Sequence, residues 1–278
     1  MFLSGRDPNE LVKTMSNEMN HVIDWLKLNK LSLNLSKTHF ILFRRKSAKI
    51  ELNEQLIVDK VKINMVDSTK FLGVHIDQSL TFQKHISYIQ GKVSRGIGIL
   101  FKCKPVLNER LLKTLYNTLI YPYFTYCIEV WGSTYSTYLE PLIKAQKRAV
   151  RTVAGARKYE HTFPLYQRLM LLNLKQIYLY FVQLFMYKYQ HKKLPIFFDT
   201  LFTRNSNIHR HHTRQENELH LPLIISMPCS RTIRISGVHS YNYFGKIFDM
   251  NISYEVYKKR LKKHLLNLKD TSIVWNIL

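Results

Sequence analysis

Four cationic side chains near the middle of the sequence have the spacing needed to contact a row of phosphates. They occur at i, i+3, i+4 and i+7, which places them on one face of a helix. Because no acidic residue lies between them, we expect no ion pair within the helix to neutralise them. Such a face binds backbone phosphates without sequence preference, although the same pattern is also typical of a basic face that contacts only water. These four residues, the basic stripe, are Lys144, Lys147, Arg148 and Arg151.

Histidines cluster in the last third of the chain, and clustered histidines are one pattern that binds metal. Arg210 and Arg214 lie among them and would place positive charge beside a bound cation. Their spacing is irregular, and neither a cysteine nor a carboxylate completes a ligand set. The sequence therefore favours a basic loop over a metal centre. The histidines concerned are His209, His211, His212 and His220.

The charge balance favours a polyanionic partner. The chain has 278 residues, with 42 Lys+Arg against 19 Asp+Glu and a formal net charge of +23. A surplus of this size favours nucleic acid, while an acidic membrane surface, an acidic protein or simple solubility are the alternatives. A second crowded cationic segment, residues 258–263, is also suited to nucleic acid or to an acidic membrane surface.

The cysteine and hydropathy patterns predict an intracellular protein, nuclear or cytoplasmic, without a membrane partner. Cys103, Cys127 and Cys229 are far apart and include no C-x-x-C pair, which argues against a disulfide framework and a zinc knuckle. Arg6 and Asp7 interrupt any apolar core of a signal peptide. No apolar run is long enough to cross a bilayer.

The hydrophobic pattern predicts an α+β fold whose strands lie near the N-terminus. Asp7 and Pro8 mark a helix start, and apolar residues follow on one helical face over residues 11–26. Gly73 lies inside the last predicted strand, where glycine usually marks a bulge or a close backbone approach. The predicted extended segments or strands are residues 31–35, 39–43, 57–63 and 71–76.

The rest of the chain is predicted to be mainly helical. Gly155 is the expected C-terminal cap of the helix that contains the basic stripe. Residues 191–278 are less regular, with a short strand predicted at 233–237 and a last amphipathic helix at 254–268. The other predicted helices have apolar faces at residues 86–100, 111–119, 139–153 and 175–189.

Several segments together resemble one family. They are residues 20–43 and 69–86, the Y-x-x-x-V-W-G element at residues 126–132, and residues 146–155. They resemble the region that follows the catalytic Tyr-X-Asp-Asp hairpin in non-LTR (LINE-type, jockey-like) retrotransposon reverse transcriptases. The resemblance implies the end of the palm in residues 1–78, the thumb in 79–190 and an extension in 191–278. It is specific up to about residue 155 and weak after residue 205.

The resemblance also implies roles for single residues. Lys37 matches a lysine near the leaving pyrophosphate, whose charge its ammonium would neutralise; from the residues alone it is a solvated lysine. Phe71, Leu72 and Gly73 match a hairpin that joins palm to thumb and presses the primer end towards the active site. The basic stripe matches a cationic helix, which implies contact with the backbone of an RNA/DNA duplex. His85 is expected to be structural rather than a catalytic base.

Catalysis in that family requires carboxylates that hold Mg²⁺. This sequence has no Asp-Asp pair, and its scattered aspartates have no common spacing. The family activity is RNA-directed DNA polymerisation, but we expect this chain alone to be inactive and to hold no cofactor. We also expect residues 1–78 to expose apolar surface and an open strand edge, and therefore to be marginally stable.

Three functional hypotheses follow. The leading one is a truncated reverse transcriptase that is catalytically inert and binds nucleic acid non-specifically. The second is a non-enzymatic nucleic-acid-binding protein recruited from such an element. The third is a helical interaction protein whose basic faces bind an acidic protein partner.

Overall fold

The computed structural model describes residues 1–268 apart from residues 46, 49, 209–213 and 225. These residues form two compact units, Met1–Phe82 and a second unit that begins at Gln83. The first unit combines one long helix with short strands, and the second is helical. The predicted α+β class is therefore confirmed.

The first unit is built on helix α1, Pro8–Leu28. Its predicted start is confirmed, because the Asp7 side chain accepts a hydrogen bond from the Asn9 N–H at 2.9 Å and Pro8 occupies the first turn. The helix buries Val12 and Ile23 in a small apolar cluster with three residues from the strand region, Leu56, Val58 and Ile63.

The strands of this unit are short and form three separate pairs. β1 (His39–Phe40) lies parallel to β4 (Asn64–Met65), while β2 (Ile57–Val58) is antiparallel to β3 (Val61–Lys62). β5 (Ser68–Phe71) and β6 (Val74–Asp77) form the third, antiparallel pair.

The strand predictions for residues 31–35 and 57–63 were wrong. The segment 57–63 is not one extended strand, because Asp59 and Lys60 adopt φ values of +49° and +63° and turn the chain between β2 and β3. The segment 31–35 is not a strand either. Its last residue begins a 3₁₀ helix, Leu35–Lys37, because the Asn34 side chain accepts the Lys37 N–H at 3.2 Å and caps that turn.

The second unit confirms the predicted helices and corrects one strand. Residues 233–237 are the start of helix α10, which continues to Gly245 and buries Ile235, Val238 and Phe244 at helical spacing. Further short 3₁₀ turns occur at Ile196–Thr200 and Asn205–Asn207. The α-helices in the described part of this unit are α2 (Gln83–Cys103), α3 (Glu109–Leu119), α4 (Tyr121–Thr125), α5 (Ile128–Trp131), α6 (Ser136–Val153), α7 (Thr162–Arg168), α8 (Leu174–Gln190), α9 (Met227–Ser230), α10 (Ile233–Gly245) and α11 (Tyr254–Asn267).

Helix α8 lies at the centre of the second unit and contacts α4, α5, α10 and α11, while α2 packs along α6. The Y-x-x-x-V-W-G element forms part of this core. The Trp131 Nε1–H donates to the Tyr126 carbonyl at 2.9 Å, and Trp131 is fully buried. A Cβ on Gly132 would lie 2.5 Å from a ring carbon of Tyr178, so only glycine fits there. His85 is 2% exposed and contacts the Trp131 ring edge-on, which supports the structural role predicted for it.

The predicted exposure of apolar surface in the first unit is confirmed. Phe2 and Leu28 are each 84% exposed, and Leu72 is 74% exposed. Each strand has a partner on one side only in the described residues, so every pair leaves its outer edges open.

We expect residues 39–76 to exchange their amide hydrogens faster than the central turns of α2, α6 and α8. Two-stranded pairs with little buried apolar area open at low free energy, whereas the long helices pack in the main core. Native-state hydrogen exchange followed by mass spectrometry measures both regions in one sample. Equal protection in the strands and in these helices would contradict the expected marginal stability.

Candidate nucleic-acid interface

The basic stripe lies along α6 as the sequence predicted. Lys144 and Arg148 are exposed, while Lys147 and Arg151 are partly exposed. The opposite face of α6 packs into the core through residues such as Leu142 and Ala149, which are both fully buried. The helix ends at Val153, and Gly155 follows with φ +67°, as expected for a left-handed cap.

One prediction about the stripe was wrong. An ion pair does form within the helix, because Glu140 lies one turn before Lys144 and its carboxylate approaches the ammonium at 3.6 Å. Both side chains are at least half exposed, so this pair contributes little stability and leaves Lys144 accessible. Lys147, Arg148 and Arg151 have no carboxylate partner among the residues that the structure describes.

Arg151 is held in place by a neutral contact. Its Nε–H donates to the backbone carbonyl of Glu160 at 2.8 Å. This bond orients the guanidinium group but does not neutralise its charge. Counting only described residues, the stripe therefore presents three positive charges without a carboxylate partner along one helix face, an arrangement that suits a row of phosphates.

Phe71, Leu72 and Gly73 form the tip of a hairpin. The predicted single strand at 71–76 was wrong, because the chain reverses at Leu72 and Gly73, whose φ values are +43° and +84°. β5 and β6 pair on either side of this turn, with Phe71 opposite Val74. Phe71 is 54% exposed, and a hairpin at this position agrees with the family resemblance. The tip can contact a ligand through exposed apolar side chains and through the glycine backbone.

Replacing Gly73 with alanine is expected to lower the free energy of unfolding of the first unit by about 1 kcal/mol, because a Cβ is strained at positive φ. Gly98→Ala is the matched control. An added Cβ at Gly98 meets nothing within 4 Å, and the residue lies inside α2. Helix propensity predicts that the control is stabilised by roughly 0.5–1 kcal/mol. Urea unfolding of both variants measures the two effects. Equal changes in the free energy of unfolding would contradict the turn's dependence on glycine.

Lys37 is exposed at the end of the 3₁₀ helix Leu35–Lys37. It lines a cavity of about 730 Å³ in the first unit, and Phe71 of the hairpin lines the same cavity. The other lining residues are mostly apolar and include Phe2, Met15 and Phe40. The structure therefore brings together two of the predicted site residues, Lys37 and Phe71, while the basic stripe belongs to the other unit.

The Asp77 carboxylate is hydrogen-bonded to backbone N–H groups. Its carboxylate accepts hydrogen bonds from the Ser79 N–H at 3.2 Å, the Thr81 N–H at 3.0 Å and the Phe82 N–H at 2.6 Å. These bonds fix the chain between β6 and α2. The carboxylate at the end of β6 is thus part of a turn, which leaves it poorly suited to bind a metal ion.

The other candidate sites are limited. Of the histidine cluster, His209, His211 and His212 lie outside the described residues, and the His220 Nδ1 is 3.2 Å from the Asn205 side-chain oxygen. Within the described residues, no group of three or more His, Cys, Asp or Glu side chains is arranged to hold a metal ion. None of the helices in that part of the chain combines the length and apolar character needed to cross a membrane.

Sequence reasoning missed a cleft beside the basic stripe. It has a volume of about 320 Å³ and lies between α6, α7 and α8. Lys147 and Lys175, which are far apart in sequence, both line it. The only sequence signal was Asn173, whose pairing with Gln176 in a capping box marks the start of α8. That signal locates a helix start but not its neighbour in space.

Comparison with known proteins identifies relatives of this chain. It is 23% identical over 216 residues to the probable RNA-directed DNA polymerase from transposon X-element of Drosophila melanogaster, an alignment that covers 76% of this chain and 21% of the relative. It is 30% identical over 96 residues to the RNA-directed DNA polymerase from mobile element jockey of Drosophila funebris, covering 34% of this chain and 10% of the relative. The jockey polymerase of Drosophila melanogaster is 29% identical over 97 residues.

The chain thus spans about a fifth of the length of the X-element polymerase and a tenth of that of the jockey polymerases. No family model matches the chain. No solved structure matches it either. The curated homologues of this chain are thus RNA-directed DNA polymerases of Drosophila non-LTR retrotransposons.

Proposed function

We propose that this chain is a non-catalytic part of a retrotransposon RNA-directed DNA polymerase that binds nucleic acid non-specifically through backbone phosphates. The observation behind this proposal is the basic stripe on α6. Three of its four cations have no carboxylate partner in the described part of the chain. Their spacing of three and four residues repeats along one exposed helix face, so consecutive phosphates of a strand can be contacted by one rigid element.

The preferred ligand is an RNA/DNA duplex. The relatives are named RNA-directed DNA polymerases, and such an enzyme produces a hybrid of template and product. The formal net charge of +23 adds long-range attraction to any polyanion. Arginine and lysine contacts to the sugar-phosphate backbone carry affinity but no base readout, so binding is non-specific in sequence.

The residues present do not fit a two-Mg²⁺ polymerase centre. Such a centre needs carboxylates from neighbouring elements directed at one point. The sequence has no Asp-Asp pair, and the Asp77 carboxylate is occupied by three backbone N–H groups. We therefore assign no nucleotidyl-transfer step to this chain alone.

The hairpin and Lys37 contribute to the same function in a complete polymerase. The tip formed by Phe71, Leu72 and Gly73 contacts the sugar-phosphate backbone at the primer end, where the absence of a side chain on Gly73 permits close approach. Lys37 faces the leaving pyrophosphate. Residues 1–78 serve as the end of the palm, 79–190 as the thumb and 191–278 as the extension. All three cysteines are free thiols, which supports an intracellular compartment, nuclear or cytoplasmic.

Fluorescence anisotropy of a labelled RNA/DNA hybrid, measured between about 50 and 200 mM salt, tests the proposal. If three to four phosphates are contacted, the logarithm of the binding constant falls with the logarithm of salt with a slope of about −3 to −4. Absence of binding at the lowest salt would contradict the proposal and favour an acidic protein as the partner. Mg²⁺-dependent extension of a primer by the purified chain would contradict the claim that the chain alone is non-catalytic.

A further inference from the structure

The cleft beside the basic stripe has two cationic sides. Lys147 of α6 lines it from the stripe, and Lys175 lines it from the first turn of α8. His161, which is exposed and precedes α7, is a third basic residue at the cleft. Among the described residues that line it, the only acid is Glu140, and its carboxylate already pairs with Lys144 at 3.6 Å. Because Lys147 has no carboxylate partner among the residues that the structure describes, its charge favours an anionic ligand at the cleft.

The walls of the cleft are aromatic and apolar. Phe163 is half-buried, and its ring has no aromatic neighbour within the described residues. Ile143 and Leu174 provide further apolar surface. A flat ring that enters between these side chains would gain stacking against Phe163 and would be shielded from water.

Tyr166 adds a buried polar group to the cleft. The residue is 5% exposed and lines the cleft, and its hydroxyl has no hydrogen-bond partner in the part of the chain that the structure describes. Burial raises the pKa of Tyr166 well above its usual value, so the hydroxyl is protonated and can donate. A buried donor without an acceptor costs free energy, which a ligand with a polar ring atom can recover.

We propose that this cleft binds one unpaired nucleotide of the strand held on the basic stripe. The phosphate lies between Lys147 and Lys175, and the base stacks on Phe163 with its polar edge towards Tyr166. A volume of about 320 Å³ is at the lower end for small-molecule sites and accommodates a single base but not a base pair. The proposal rests on the proposed function, because the duplex on the stripe supplies the strand that carries the unpaired nucleotide.

The test compares two RNA/DNA hybrids that bind the full chain, one blunt and one with a single-stranded overhang containing the fluorescent base 2-aminopurine. The overhang hybrid is expected to bind about 5- to 150-fold more tightly than the blunt one, as base–aromatic stacking predicts. Its fluorescence is expected to fall on binding, because the probe stacks. Phe163→Leu should remove most of both effects and leave the affinity for the blunt hybrid unchanged.

Phe197→Leu is the matched control, because Phe197 is 67% exposed and does not line the cleft. Tyr166→Phe keeps the ring and removes only the hydroxyl, so it provides a second variant whose core packing is preserved. It should reduce the preference for the overhang without changing blunt binding. If the blunt hybrid binds but the wild-type chain shows neither a preference for the overhang nor a change in fluorescence, the cleft proposal is overturned and the proposed function stands. If neither hybrid binds, the proposed function itself is contradicted, and the cleft proposal, which rests on it, is contradicted as well.

Discussion

A chain with Lys147, Arg148 and Arg151 all replaced by glutamine is expected to bind an RNA/DNA hybrid on the order of a hundredfold more weakly at about 0.1 M salt. Each phosphate contact that is lost abolishes the release of about 0.9 counterion, so the slope of log affinity against log salt should become shallower by about 2 to 3. Anisotropy titrations at several salt concentrations measure both quantities. The loss should be the same for hybrids of different sequence, since backbone contacts do not read bases.

The stability of the fold should be nearly unaffected by this triple variant. The three side chains are exposed or partly exposed, and glutamine is a good helix former. The matched control replaces Lys102, Lys104 and Lys193, three exposed lysines of the same unit, with glutamine. It removes the same formal charge at positions outside α6. Equal loss of affinity in both variants would show that only net charge matters, and the stripe would no longer be the interface.

The basic stripe shows what the sequence can predict about a site. Helical periodicity fixes which side chains share a face, so the positions on α6 followed from spacing alone. The partial neutralisation of that face by an ion pair did not follow from this spacing. No acid lies between the cations in the sequence, but Glu140 pairs with Lys144 from one turn earlier. The neighbours of a charged face extend a full turn beyond its ends.

The strand predictions failed for a different reason. The short β-branched run at 233–237 also fits a strand, but the apolar spacing continues through Tyr241 and Phe244, which favours the helix that forms. In the first unit, the turn at Asp59 and Lys60 lacks the Asn-Gly or Asp-Gly signal of a tight hairpin, so alternation alone suggested one long strand.

The cleft beside the stripe could not be predicted from the sequence at all. Lys147 and Lys175 line one cleft because α7 packs against α6 and the start of α8 is hydrogen-bonded to α6 in the folded chain. A single hydrogen-bonded residue joins two of these helices. The side chain of Gln146, which is fully buried, accepts the Leu174 N–H at the start of α8 at 2.8 Å. The geometry of the site thus depends on the polar core beneath it.

Gln146→Leu is expected to lower the free energy of unfolding of the second unit by about 3–5 kcal/mol. Besides accepting the Leu174 N–H, the amide donates to the Tyr116 hydroxyl at 3.1 Å and to the Leu172 carbonyl at 3.0 Å. Leucine has a similar size but leaves these buried groups without their partner, at a cost of about 1–3 kcal/mol each. Burial raises the pKa of Tyr116, and the hydrogen bond from Gln146 partly opposes that rise.

Urea unfolding followed by helical circular dichroism measures the loss, with Gln90→Leu as the control. Gln90 is half-buried on α2, and its side chain makes no hydrogen bond in the described part of the chain, so its replacement should change the free energy of unfolding by less than about 0.5 kcal/mol. Because Leu174 directly precedes Lys175, Gln146→Leu should also reduce the preference for an overhang while the stripe still binds the blunt hybrid. If the stability of Gln146→Leu matched that of the control, the three groups would have to find new partners, and the polar core would not hold α6 and α8 in register.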